Sequence, residues 1–529
     1  MPDPVSGGAS APPSPIRLDG CSLKIMDVVH FARDRYPLEI DPAVWERVAR
    51  GRAVVEQQLA SGAPAYGVNT GVGSQKSWTV SPEQIPSFNR RVLVAHATVA
   101  SEAKLPPMAV RAALLVQLNQ LVSGVSGVRP ELVRALHQRL AGGEVPVANT
   151  GASVGASDLV PLAQMALSLL GVANPLDAAA AFVEPALRLE AKEALALMNS
   201  NAVSLGEGAL ALLQARKLLR GFDLTLAFAL EGLRGNPSIV DPAVHAVRPQ
   251  AGQRTASSHL ARLLDGSALL ARPGSLQDPL SFRCGPQVHG ACYDTLRWIW
   301  RSWEVELNSV QDNPLVDLKH ERLVCNGNMD GTLLTVGTDA LRAALATAVD
   351  ISAQRMHKLH WPAFSGLPSG LTSAGSALGG VQFLNLSHIA EAYAAAVRGH
   401  ARPAALNYQG QLADGVEDHA TLLPMAVTAT HHLLEAAWVV QALELTVACW
   451  AIRRRGIEPA ALGAGLRAVY QQIAPHLPIG REGDEVFDVR PVVELVRDGE
   501  IVDLIDEAAP PFPDFRPVDA DVRHAEGDG

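Results

Sequence analysis

The chain has 529 residues, 48% of them apolar and 19% charged, with a formal net charge of −10. The apolar content suffices for a large core, and the low charged fraction points to surface that association buries again. The acidic balance argues against a nucleic-acid partner, because no basic field is present to release counterions.

Residues 1–17 are rich in Pro, Ser and Gly, have no apolar signal-peptide core, and are expected to be a disordered tail. Helices follow over Ala109 to Leu121, Val160 to Leu170, Glu207 to Leu219 and Gly290 to Leu307, where apolar residues recur at three- and four-residue spacing. Thr332 to Met356, Phe383 to Arg398 and Met425 to Arg455 are apolar nearly all round, which predicts burial in a large core or between subunits. The most apolar stretch, Ala436 to Ile452, is interrupted by Gln441 and Glu444, so a buried helix is expected there and no membrane span. Strand-like runs are few and short, and the expected class is mainly α. Residues 18–508 are read as one catalytic unit and 509–529 as a flexible tail. The cysteines at 21, 284, 292, 325 and 449 form no CxxC pair and are odd in number, which suits reduced thiols in a cytoplasmic protein.

Gly/Pro punctuation at Ser61 to Pro64, Gly142 to Gly155, Arg272 to Gly274 (of which Arg272 and Pro273 lie outside the residues described below) and Gly366 to Gly370 places the chemistry on loops held by a helical scaffold. Asn149 to Ala163 is a Gly/Ser-rich loop running into a helix, which Ser157 or Asp158 is suited to cap. Tyr66-Gly67-Val68-Asn69-Thr70-Gly71 places a tyrosine in a Gly-rich turn; with a lowered pKa it is a candidate general base. His96 follows in Val94-Ala95-His96-Ala97, and Asn199 in Ala196-Leu197-Met198-Asn199. Gln277 and Arg283 lie in a loop that continues to Gly290, and a guanidinium such as that of Arg283 holds a carboxylate in a bidentate pair. Asn328 sits in Gly327-Asn328-Met329-Asp330-Gly331. Glu417-Asp418-His419 offers a carboxylate to a polar or cationic group. His431 and His432 are adjacent on a helix and cannot both face one ion, and no other cluster has metal-ligand spacing. Gly71-x-Gly73 lacks the βαβ setting of a dinucleotide fingerprint.

Together with Glu306-Leu307-Asn308-Ser309 and Asp312-Asn313-Pro314-Leu315, these segments resemble, in order and over about Leu18 to Leu504, the histidine and aromatic amino-acid ammonia-lyase family. The resemblance implies an elongated all-α fold with a central bundle of long helices. It also implies a homotetramer whose sites draw on several subunits, a small amino-acid substrate, no membrane, and no external cofactor. In that family an Ala-Ser-Gly triad cyclises: the Gly nitrogen attacks the Ala carbonyl, the Ser loses water, and a methylidene-imidazolone electrophile results. Ala156 and Ser157 match the first two positions. Asp158 stands at the third, where glycine permits angles closed to other residues. The family's catalytic tyrosine on the Gln277 loop is Leu280 here, which transfers no proton, and Tyr293 or Tyr408 is a candidate replacement. The family's Phe-His pair is Met329-Asp330.

Carried over residue by residue, the resemblance gives Ala156-Ser157-Asp158 the electrophile, if it cyclises, and Tyr66 the proton at the reacting carbon or nitrogen. Asn199, Gln277 and Asn328 orient electrophile and substrate, and Arg283 binds the carboxylate. His96 and Glu417 line the side-chain pocket and point to histidine or another polar substrate. The expected reaction is elimination of ammonia to an α,β-unsaturated acid. Three alternatives stay open: an aminomutase that returns the amine to the β-carbon, an elimination or addition without the ring, and a binding or scaffold role.

Overall fold

The structure, a computed structural model, describes residues 14–172, 175–176, 187–271, 274–372, 381–407, 410–477, 486–498 and 501. Residues 1–13 of the expected N-terminal tail and all of 509–529 lie outside the described residues, as does Tyr408. The fold is mainly α, as the periodicity indicated. Ile16–Leu18 is a strand paired in parallel with Leu38–Ile40, so ordered chain begins before the expected boundary at 18. Leu315–Asp317 and Arg322–Val324 form an antiparallel hairpin. By its contacts the chain divides into two compact units.

The first unit comprises residues 1–210, 303–332 and 407–425. Three helices in it, Ile85–His96, Leu159–Leu169 and Glu193–Met198, pack against one another. The first carries a proline in its opening turn, where no amide is needed, and buries Ile85, Asn89, Val92 and Leu93 along one face. Gly208 is required by close approach: a Cβ there would lie 1.9 Å from the ring of Trp303. That indole is 1% exposed and donates to the Leu205 carbonyl at 2.9 Å.

The second unit comprises residues 211–302, 333–406 and 426–529. The long helices Thr332–His360, Val381–His400 and Leu423–Arg454, all or nearly all of whose residues fall in it, each lie within a few residues of their expected bounds. Leu423–Arg454 is apolar and long enough to cross a membrane, yet 89% of its most apolar window is buried within the chain. The polar residues that interrupt it explain how. Glu444 is fully buried and ion-paired with Arg355; it also accepts from Ser352 Oγ (2.6 Å) and Thr225 Oγ1 (2.8 Å). Gln441 donates to the Leu218 carbonyl at 2.8 Å. A buried carboxylate is tolerated because both of its oxygens are hydrogen-bonded and a buried cation pairs with it. A second buried network centres on Asp223, which accepts from Tyr293 Oη (2.6 Å) and pairs with Nδ1 of His289 (2.7 Å) and His259 (3.0 Å).

Candidate active site

The first unit holds a cavity of about 1140 Å³, lined entirely by its own residues, Tyr66 to His96, Gly155 to Asn199, Asn313 to Asp330 and Ala413 to Thr421 among them. This is room for an amino acid with a sizeable side chain. Tyr66, His96, Ala156, Asn199 and Glu417, five residues singled out from the sequence, meet on its wall.

The loop before the Leu159–Leu169 helix is fastened at each residue. Gly155 has φ +85°, and a Cβ there would lie 2.5 Å from Thr421 Oγ1. That hydroxyl instead donates to the Gly155 carbonyl (2.8 Å), while the Leu422 N–H donates to the Val154 carbonyl (3.0 Å). Ala156 bridges Asp330 through the backbone. Ser157 adopts a left-handed φ of +67°, costly for a residue with a Cβ, and its hydroxyl donates to Asn199 Oδ1 at 2.7 Å. Asn199 is held in turn by the Asn313 carbonyl (3.2 Å) beside the buried Lys192–Asp312 ion pair. Asp158 precedes the helix but does not cap it with its side chain. Its carboxylate, 1% exposed, accepts from Ser204 N (2.8 Å) and Ser204 Oγ (3.0 Å). Burial pushes the Asp158 carboxyl up, and these bonds only partly offset it. Burial and the nearby Asp158 push Glu207 up to about 7.

Tyr66 Oη accepts the Gly73 N–H at 2.9 Å, closing its Gly-rich loop. Burial, with the charges of Glu417 and Cys325, pushes its hydroxyl up despite that bond. The lowered pKa wanted for a general base is therefore not found; desolvation disfavours the phenolate. His96 Nδ1 pairs with the Val92 carbonyl one turn back (2.8 Å), and His96 lines the cavity. Asn328 is exposed and does not line the cavity, although Gly327, Met329 and Asp330 do. Gln277 and Arg283 lie in the second unit. With its amide oxygen turned to the guanidinium, Gln277 accepts from both terminal nitrogens of Arg283 (3.2 and 3.0 Å), and Arg283 Nε donates to the Asp278 carbonyl (2.8 Å). Leu280 is 63% exposed, and Tyr293 is 1% exposed and committed to Asp223. Two lining features escaped the sequence reading: Arg91, and the pair His419 Nε2–Asp330 Oδ2 at 2.8 Å. Among the described residues no three His, Cys, Asp or Glu side chains could hold a metal ion.

The family description "Aromatic amino acid lyase" matches residues 23–475. The chain belongs to the aromatic amino acid lyase family. This lyase-family chain is 34% identical over 505 residues to a histidine ammonia-lyase of Stigmatella aurantiaca, covering 93% of this chain and 98% of that one. The structure is similar to that of an ergothioneine-degrading enzyme, ergothionase, from Treponema denticola (TM-score 0.85, 27% identity, 92% and 100% covered). It is also similar to a phenylalanine aminomutase of Pantoea agglomerans (TM-score 0.83, 25% identity, 91% and 98% covered).

The family's ring makes three demands on the loop, and this lyase-family chain meets none of them. Cyclisation needs a free nitrogen at residue 158, but the Asp158 N–H donates to the Ser200 carbonyl at 2.7 Å. It needs an unhindered third residue, but the Asp158 side chain is buried and anchored on Ser204. It needs the Ser157 Cβ presented to substrate, but Ser157 is 3% exposed, turned to Asn199, and absent from the cavity wall. The residues present do not fit the ring.

Proposed function

We propose that this chain is a carbon–nitrogen lyase that removes the amine from a histidine-like or aromatic amino acid, leaving an α,β-unsaturated acid, and that it works without a methylidene-imidazolone. The observation that carries the reading is the single cavity on which Tyr66, His96, Ala156, Asn199 and Glu417 converge. Glu417 attracts a cationic imidazole or amine, and His96 offers Nε2 to a polar side chain. Tyr66, protonated at neutral pH, serves as acid toward the departing nitrogen. Asn199 holds Ser157 and faces the substrate. Asp158 anchors the loop and takes no part in the chemistry.

Gln277, Arg283 and Asn328 keep the roles of orienting the substrate and binding its carboxylate, reached from neighbouring subunits of a cytoplasmic homotetramer. Leu333, Val336, Ile389 and Tyr393, exposed apolar residues on long helices of the second unit, support that assembly. A second reading takes its substrate from the ergothioneine-degrading relative, whose likeness spans 92% of the chain.

The test incubates the protein with histidine, phenylalanine, tyrosine and ergothioneine, follows the ultraviolet absorbance of an unsaturated acid, and weighs the peptide spanning Ala156 to Asp158. The expected result is an unsaturated acid from one substrate and an unmodified peptide. A peptide lighter by two waters would overturn the ring-free reading. A β-amino acid as product would replace the lyase by an aminomutase.

A further inference from the structure

If Tyr66 carries its proton at neutral pH, some other group must accept the one that leaves the substrate. The cavity wall offers His419 and Asp330, which come from segments 89 residues apart and meet at 2.8 Å. Both oxygens of the carboxylate are engaged: Oδ2 takes the imidazole, and Oδ1 accepts the Thr332 N–H at 2.9 Å. Burial raises the Asp330 carboxyl, but the Thr332 and His419 hydrogen bonds outweigh it, so the group is ionised at neutral pH. An ionised acceptor facing Nε2 selects the tautomer with its proton there. Nδ1 is then the lone pair, and among the described residues it has no protein partner. His96 lacks such support, since its bonded nitrogen meets only a helix carbonyl. The pair exists because an aspartate stands at 330.

We propose that His419 is the base that takes the proton from the substrate's β-carbon, and that Asp330 is its positioning residue; this rests on the lyase reading above. His419 Nδ1 accepts the β-proton. The C–H electron pair becomes the second bond between the β- and α-carbons. The C–N bond breaks and its pair leaves on nitrogen, to which Tyr66 delivers a proton when the amine is bound uncharged. No electrons are gained or lost overall, and both side chains return to their starting states by exchange with water.

The test uses the full-length protein with the same four substrates, measuring kcat, KM and exchange of the β-proton with deuterated water. His419→Gln is expected to lower kcat about 10²–10⁴-fold with KM within about threefold, and to abolish β-exchange. Asp330→Asn should lower kcat about tenfold, and Asp330→Glu should restore it to within about threefold. Nitrogen-15 spectra should show His419 with its proton on Nε2, a preference lost in Asp330→Asn. At 60% and 43% side-chain exposure the two residues add little to folding, so melting should not change. A His419→Gln enzyme that keeps turnover and β-exchange within threefold of the wild type overturns the proposal while leaving the lyase reading intact. So does a His419 tautomer indifferent to Asp330→Asn. Wild-type protein that converts none of the four substrates overturns the lyase reading and the dyad with it.

Discussion

Glu207 couples the active-site loop to the stability of the fold. Its carboxyl is pushed from the ordinary 4.5 up to about 7 by burial and by the charge of Asp158. Between those values the folded chain holds a proton that the unfolded chain has released. The stabilisation is therefore complete below pH 4.5 and is lost as the pH rises through 7. A tenfold change in proton affinity is worth about 1.4 kcal/mol, so the rise from 4.5 to about 7 amounts to about 3.5 kcal/mol across the whole window. Glu207→Gln fixes the side chain in its neutral form and removes this contribution to the slope. Urea unfolding at pH 5 and pH 8 measures it: the wild type should lose about 2.5 kcal/mol more than Glu207→Gln between the two. Asp158→Asn, which removes the neighbouring charge, should leave an intermediate slope. If Glu207→Gln and wild type lose stability in parallel, the carboxyl does not titrate where its burial places it, and the reasoning fails.

Arg355→Ala strands the Glu444 carboxylate in the core of the second unit and should cost about 3–5 kcal/mol, seen as a lower urea midpoint; Arg355→Met with Glu444→Leu should recover most of it. Gly155→Ala drives a Cβ toward Thr421 at an unfavourable φ and should cost about 1–3 kcal/mol, with activity falling further as the 417–423 segment is displaced, measurable by melting and turnover. Asn199→Ala leaves the Ser157 hydroxyl buried without its acceptor, at about 1–3 kcal/mol, and should lower kcat more than it raises KM. Tyr66→Phe should slow turnover while retaining β-proton exchange, since it removes the acid and not the base; loss of exchange would return the basic role to Tyr66.

The long helices from Thr332 onward were legible because apolar residues on every side state burial directly. The helix Ala202–Leu233 was seen only over Glu207 to Leu219. Its first turn holds Ser204, whose place in a helix is secured by Asp158, 46 residues away. Val44–Ser61 went unnoticed because its polar residues dilute the stripe formed by Val44, Val48, Val54 and Val55. At the site, side chains whose chemistry is intrinsic (Tyr66, His96, Asn199, Glu417) were found at the cavity. Properties that depend on surroundings were not. Burial reversed the expected shift of Tyr66, and Asn328 has cavity-lining neighbours but no place there itself. The His419–Asp330 pair leaves no local trace, because its partners share no periodic pattern. From the sequence, Asp330 registers only as the place where the family carries a histidine.

The stitch between Thr421 and Gly155 spans 266 residues of chain. Closing so long a loop costs entropy before any contact repays it. During synthesis, then, the wall formed by Gly155 and Ala156 has no counterpart until residues beyond 421 have cleared the ribosome. A chain that stops before Thr421 lacks the hydroxyl that fastens Gly155. The cavity is thus among the last features of the first unit to assemble.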